Sequence, residues 1–335
     1  MRQAGPGPRI CQGGHSHADF VVTPAGRLPV LAVLATGGTI ASRRGADGAA
    51  SPRLGAGDIL AQLPQMQAEL RPRELLAKDS ASLSLDDMQR ISDAVAAELA
   101  DPGIDGIVAL HGTDAMEETA LLVQLQTAAR KPVLFTGAQL PADHPHPDGV
   151  LNLADAIRAA LQPGARGVAL AFGGRVLPVW GLYKASVEAA DAFRRVADEA
   201  PTISRPLPAP VTGLRVDIVA AHPGSDGLHL DASIAAGARG IVISALGAGN
   251  GAPALVAAIA RARSRDVPVV VSSRVPEGLL SPLYGGGGGG HDMRRAGAIH
   301  ARLLRPGQAR ILLAAMLANG CSQAEITRAF EAPPA

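Results

Sequence analysis

Three stretches of the chain carry hydroxyls at positions where chemistry is easy to imagine. "LATGGTIAS" sets Thr36 and Thr39 on either side of a Gly37-Gly38 break. "HGTDAMEETA" puts Thr113 and Asp114 directly after Gly112, and "AKDSAS" places Ser80 next to an acid. A threonine hydroxyl is a poor nucleophile until a neighbouring group removes its proton. The run after Thr39 is mostly small and basic residues with no aromatic, and a base is sought elsewhere in the chain. Lys184, in "GLYKASVEAADAF", is the one lysine after Lys131, in a chain whose other basic residues are nearly all Arg. A desolvated lysine can lose its proton and act as a base, which arginine cannot. An ordinary exposed lysine is the plainer alternative.

Other chemistries fit less well. The Gly-Gly turn lacks both the G-x-x-x-x-G-K-[ST] and the G-x-G-x-x-G forms, which argues against a phosphate loop. G-x-S-x-G is absent, so a serine triad on a nucleophile elbow has no support. "DHPHPD", Asp143 to Asp148, has the composition of a metal cluster, but Pro145 and Pro147 splay its side chains. Cys11 and Cys321 are too few and too far apart for a disulfide framework or a zinc site.

These residues must be held by a scaffold, and the sequence describes one. From about Leu28, short apolar runs alternate with longer helical patterns. "LPVLAVLAT", "RELLAKDS", "DGIVALHG", "KPVLFTG" and "RGVALAFGG" read as strands. "SLDDMQRISDAVAAELADP" reads as a helix capped by Ser84, with Asp86 and Asp87 in its first turn and a proline at its end. "DAMEETALLVQLQTAAR" reads as a second, with Asp114 at its cap and Glu117 completing a box-like motif. Apolar strands separated by helices predict a parallel sheet covered on both faces. Ligands of such sheets sit outside the carboxyl ends of the strands. Thr36–Thr39, Asp79–Ser82, His111–Asp114 and Thr136–Ala138 should therefore converge in one crevice.

Four prolines, Pro201, Pro206, Pro208 and Pro210, make residues 198–215 unsuited to regular structure, and this segment reads as an inter-domain linker. The expected organisation is a flexible tail over 1–28, a larger α/β domain over 29–197, the linker, and a smaller, flavodoxin-like α/β domain over 216–335. "YGGGGGG", 284–290, reads as a flexible loop. The net charge of +1 and the scattered basic residues give no general pull toward nucleic acid or anionic membrane. No run reaches the roughly 18 apolar residues of a membrane span, and the N-terminal stretch lacks an apolar signal core. A cytoplasmic setting is expected.

"LATGGTIAS" and "HGTDAMEETA", in that order and at that separation, closely resemble the bacterial L-asparaginase (asparaginase/glutaminase) family. The resemblance runs from about Pro29 through "KPVLFTGAQLP", "DGVLNL", "GLYKASVEAADAF", "GAGNG", "SSRVPEG" and "GQARILLAAML". It implies hydrolysis of the side-chain amide of L-asparagine to L-aspartate and ammonia, without metal or organic cofactor. It implies two α/β domains and active sites between the subunits of a homodimer, usually paired into a homotetramer. Thr39 matches the family's nucleophile. Thr113 matches a second threonine bonded to Lys184, with Asp114 nearby. Ser80 and Asp114 match residues that grip the α-carboxylate and α-ammonium of the substrate, next to Gly112. The N–H groups of Thr39 and Ala138 match the oxyanion hole, and Asn250 matches a residue reaching into the neighbouring subunit's site. A component of a tRNA-dependent amidotransferase is not expected, because the segment before Pro29 is short for the extra domain those proteins carry.

The chain departs from the family pattern at informative places. The tyrosine expected on the loop after Thr39 is missing from Arg43 to Gly57. The adjacent subunit's acid is expected in an interval that holds Glu277 and Asp292. Ala81 replaces a polar substrate contact, and Gln139-Leu140 replaces a Met-Arg pair. A glutaminase, a related amidohydrolase and an amino-acid-binding homologue with little turnover are the alternatives these departures leave open.

Overall fold

A computed structural model describes residues 26–333 apart from 46, 48 and 204. Most of the N-terminal tail, with Cys11, His15 and His17, lies outside the described residues. In chain order the first elements are β1 (Val30–Gly37), a hairpin of β2 (Ser42–Arg44) and β3 (Ala50–Pro52), α1 (Ala56–Leu60) and β4 (Glu69–Lys78). There follow α2 (Leu85–Ala100), β5 (Gly106–Leu110), α3 (Met116–Gln126), β6 (Pro132–Thr136), α4 (Gly149–Ala160) and β7 (Gly167–Phe172). Three short strands come next: β8 (Arg175–Pro178), β9 (Leu182–Lys184) and β10 (Phe193–Arg195). The C-terminal part contains β11 (Val216–Ala220), α5 (Leu228–Ala235), β12 (Gly240–Ala245), α6 (Pro253–Arg263) and β13 (Val269–Ser273). It ends with α7 (Gly290–Arg295), β14 (Ile299–His300), α8 (Pro306–Ala318) and α9 (Gln323–Glu331).

The larger sheet has the order β4-β1-β5-β6-β7-β8 and is parallel except for the antiparallel edge strand β8. Taken by rank along the chain, its five parallel strands run 2-1-3-4-5, the flavodoxin-type order. That order has its switch point between β1 and β5. The smaller sheet is fully parallel and runs in sequence order, β11-β12-β13-β14.

β1 shows why a strand without polar alternation is still read correctly. All eight of its residues are buried. Val30, Ala32 and Leu34 pack on one face with Leu85, Met88 and Val95 of α2 and Met116 and Leu121 of α3. Leu31, Val33 and Ala35 pack on the other with Ile59 of α1 and Leu153 and Ile157 of α4. The period of two survives, but both sides are dry, as a sheet sandwiched by helices requires. α2 begins where the sequence places it. The Ser84 hydroxyl accepts the Asp87 N–H at 3.1 Å, and the Asp87 carboxylate accepts the Ser84 N–H at 3.0 Å.

The two sheets share a core. Leu312 and Leu313 of α8 lie in the same buried cluster as Leu121 of α3 and Val242 of β12. Polar groups reinforce this contact: Gln308 donates to the Glu117 and Val179 carbonyls and accepts the Gly181 N–H. The proline-rich stretch between the sheets is also packed. Leu207 and Val211 are buried, and their N–H groups donate to the Leu125 carbonyl and the Gln89 side chain.

The glycine run differs from its reading as a flexible loop. Asp292 accepts the N–H groups of Gly287 and Gly289, the Asn250 side chain accepts that of Gly290, and Gly288 accepts the Gly251 N–H. With no side chains in the way, the loop folds back on itself and closes onto the start of α7. Among the described residues no helix is long and apolar enough to cross a membrane.

Candidate active site

Three loops interlock at the switch point. Gly38 sits just past β1 at φ +83°, and its N–H donates to the Lys78 carbonyl at the end of β4. A Cβ on Gly38 would collide with the backbone of Gly112, and one on Gly112 would collide with the side chain of Ser80. Glycine is required at both places: the ends of β1, β4 and β5 approach more closely than any side chain permits. The Ser80 hydroxyl then accepts the Asp114 N–H at 3.1 Å. The expected convergence of the strand ends is present, and there the loops meet backbone against backbone.

The two threonines of the opening motif part company here. The Thr36 hydroxyl is buried and donates to the Leu110 carbonyl at 2.9 Å, which locks β1 to β5. Thr39 opens a one-turn 3-10 helix, Thr39–Ala41, and is only partly buried. Among the described residues its hydroxyl has no hydrogen-bond partner. The Ser42 hydroxyl donates back to the Gly38 carbonyl at 2.9 Å and tightens that turn. Ala138 follows β6 and borders the same small cavity as Ile40, so it lies alongside the Thr39 turn.

Lys184 ends β9, and its ammonium donates to Thr113 Oγ1 and to Asp114 Oδ1, both at 2.8 Å. Thr113 is buried; the Lys184 side chain keeps 17% of its exposure and that of Asp114 keeps 61%. The lysine is therefore drawn out of water against a hydroxyl, and its carboxylate partner faces solvent, where a ligand can reach it. Asp114 does not cap α3 as the sequence suggested. The cap position is Ala115, with no side-chain hydrogen bond, because the Asp114 carboxylate is committed to Lys184. Glu117 completes no capping box either; its Oε2 is sealed from solvent without a partner.

Thr39, Ser80, Gly112, Thr113, Asp114, Ala138 and Lys184 thus lie on or against the interlocking loops at this end of the larger sheet. Asn250 does not join them within the chain. It forms an isolated β-bridge with Leu246 after β12, and its side chain holds Gly290. Tyr284 is exposed, and Asp292 is engaged with glycine amides. Glu277 reaches the Tyr183 hydroxyl at 3.5 Å, on the strand that carries Lys184.

Several supporting residues gave little signal in sequence. Asn152 donates to the Gly137 carbonyl and accepts the Gly173 N–H, fixing the loop before Ala138. Gln139, which stands where the family pattern has methionine, donates to the Ser186 carbonyl and ties that loop to the Lys184 segment. His111 is fully buried under Gly112, whose carbonyl its Nδ1 meets at 2.7 Å; burial holds its imidazole down to about 4, hence neutral. In the "DHPHPD" stretch, Asp143 accepts the Arg44 N–H and Asp148 those of Gln139 and Leu140. These acids shape loops, and among the described residues no group of three His, Cys, Asp or Glu side chains is arranged to hold a metal. A cavity of about 790 Å³ is lined by residues such as Gln124, Arg166 and Trp180 and touches none of the candidate site residues.

Residues 30–204 match the family model described as "Asparaginase, N-terminal", and residues 215–330 match "Glutaminase/Asparaginase C-terminal domain". A probable L-asparaginase from Deinococcus radiodurans is 34% identical over 90% of this chain and 97% of its own length. One component of a glutamyl-tRNA(Gln) amidotransferase from Methanosarcina acetivorans is 28% identical over 90% of this chain and 77% of its own. The crystal structure of a probable cytoplasmic L-asparaginase from Campylobacter jejuni superposes with a TM-score of 0.79 at 27% identity, covering 90% of this chain and 99% of that one.

Proposed function

The chain belongs to the asparaginase family of amidohydrolases, and from that premise we propose that it hydrolyses L-asparagine to L-aspartate and ammonia at the β1/β5 switch point. The observation that carries this reading is the run Asp114–Lys184–Thr113, linked by two 2.8 Å hydrogen bonds, on a loop whose Gly112 abuts Gly38, the residue before Thr39.

Each residue has a part the geometry supports. The Thr39 oxygen bonds to the amide carbon, and its proton passes through Thr113 to Lys184, which acts as a base once it has given up a proton of its own. The developing oxyanion is met by the N–H groups of Thr39 and Ala138, fixed donors worth about 3 kcal/mol each. Ammonia leaves with a proton returned from the same pair. Water then adds to the acyl group, Thr113 and Lys184 take its proton, and aspartate departs as the Thr39 hydroxyl is restored. Asp114 accepts the substrate ammonium, and the Ser80 hydroxyl, which has a proton to give, donates to the α-carboxylate. With the loop tyrosine missing, the Thr113–Lys184 pair serves both steps.

Assembly is part of the proposal. Asn250 and the segment after β13 have no role in their own chain's crevice, and the family resemblance assigns them to a neighbouring subunit's site in a homodimer or homotetramer. The domain limits, 29–197 and 216–335 about a 198–215 linker, belong to the same reading, supported by the separate matches of the two family models. So does a cytoplasmic setting, supported by the description of the Campylobacter relative. The C-terminal family description favours one second reading, a glutaminase. Ammonia release from a panel of asparagine, glutamine and other side-chain amides tests both. The highest kcat/KM is expected for L-asparagine; a preference for glutamine favours the second reading, and no release above a Lys184→Ala control refutes both.

A further inference from the structure

Glu117 lies three residues beyond Asp114, in the first turn of α3, and the reaction scheme above leaves it unused. The residue keeps some exposed surface, but its Oε2 has none and meets no hydrogen-bond partner. The lysine strand, β9, packs against α3, and the backbone N–H and the ammonium of Lys184 both favour the ionised form of its carboxyl. The same residue's carbonyl accepts Gln308 Nε2 at 3.1 Å, so α8 and β9 converge on one turn.

We propose that Glu117 is a positioning residue of this site: an uncharged carboxylic acid held behind Lys184, which leaves Asp114 as the anion paired with the ammonium at neutral pH. A carboxylate with one oxygen sealed from water and unpartnered is costly, which favours the protonated form. Burial pushes the Glu117 carboxyl up to about 8, against the opposing pull of its own backbone N–H and of Lys184. The other charged neighbour on its helix, Glu118, raises it further and is itself paired with Arg310 of α8 at 3.2 Å. β7 offers no ionisable residue, α2 meets α3 through the neutral Gln89–Gln126 pair, and His111 of the adjoining loop is neutral.

The consequence is a gate on proton transfer. With Glu117 protonated, one anion opposes the loss of a proton from Lys184. Once Glu117 ionises, a second anion stands near the lysine and opposes the transfer of its proton. Turnover then falls. This inference rests on the reading of Lys184 as the proton-transfer group, so its test has a readout that needs no turnover.

The experiment compares kcat between pH 6 and 10 for the full-length protein and for Glu117→Gln. It also follows the carboxylic-acid C=O stretch by difference infrared spectroscopy of wild type and of Lys184→Met. Wild type is expected to lose at least threefold in kcat across a step near pH 8, and Glu117→Gln to lack that step. The C=O band is expected at pH 7 in wild type, absent in Glu117→Gln, and shifted to a higher midpoint in Lys184→Met, where the opposing cation is gone. Superimposable pH profiles, a uniform loss at every pH in Glu117→Gln, or no C=O band at pH 7 would each overturn the proposal. Should Glu117→Gln not fold, the wild-type and Lys184→Met spectra decide. If asparagine releases no ammonia, the proposed function fails, and the band and its midpoint still report on Glu117.

Discussion

The carboxyl edges of the two sheets are built from the same ingredients and put to different use. Both have parallel strands ending in glycine-rich turns, with hydroxyls, an acid and a buried histidine close by. At the smaller sheet the hydroxyls, the acid and the glycine amides satisfy one another. Ser273 donates to the Gly247 carbonyl, Ser272 to that of Leu304, and Asp292 and Asn250 hold the glycine run. At the larger sheet, polar groups keep capacity in reserve. Thr39 is unengaged, Ser80 accepts but has a proton to donate, and Asp114 faces solvent while holding Lys184. A polar cluster that closes on itself makes structure. One that leaves donors, an acceptor and a base pointing at a common space makes a site.

This contrast can be broken by substitution. The largest effects belong at the larger edge: Thr39→Ala and Lys184→Ala should each cost at least about a thousandfold in kcat, about 4 kcal/mol of barrier. Combining Thr113→Ala with Lys184→Ala should add little to either alone, because the pair acts as a unit. Steady-state ammonia release measures all of these, with circular dichroism to confirm folding. Near-normal turnover in Thr39→Ala would remove that residue from the attacking role. Ser80→Ala, which deletes one donor to a charged group, should raise KM by about tenfold or more with a smaller change in kcat. At the smaller edge, Asp292→Ala should lower unfolding free energy by about 1–3 kcal/mol in denaturant titration, since two glycine N–H groups lose their acceptor.

The smallest effect separates the two histidines. Burial lowers both His111 and His300 from about 6.5 to about 4. The unfolded chain binds protons below pH 6.5 that the folded chain refuses until about pH 4, so both residues cost stability as pH falls through that window. Among the described residues neither ring nitrogen of His300 has a partner, so His300→Leu should flatten the loss of Tm between pH 6.5 and 4 without affecting kcat at neutral pH. His111→Leu should also flatten it but lower kcat, because the His111 ring supports the Gly112 carbonyl. Equal effects of the two on kcat would erase the distinction drawn here.

Much of the scaffold was legible in sequence, because it depends on local rules. β1 is readable as an unbroken apolar run and α2 from the Ser84–Asp87 pair, and Thr39 stands out from Thr36 by lying past a double glycine. The misreadings share one cause. Asp114 and Glu117 have the spacing of a capping box, yet one carboxylate goes to Lys184, 70 residues away, and the other is sealed against β9. The glycine run has the composition of a flexible loop, yet Asp292, Asn250 and Gly251 take up its N–H groups and one of its carbonyls. In each case a long-range partner competed successfully with the local one, and spacing along the chain carries no record of that.

By itself the sequence determined the elements and the two motifs that identify the family. Burial of apolar runs and the preferences of caps and glycines act over a few residues, and any fold must satisfy them. Only the tertiary structure decided which polar groups remained free. The 2-1-3-4-5 order puts the ends of β1 and β5 side by side, the Gly38–Gly112–Ser80 contact closes the floor, and β9 delivers Lys184 to Thr113. A hydroxyl becomes part of a site when nothing else in the folded chain claims it. That is a property of the whole packing rather than of any segment.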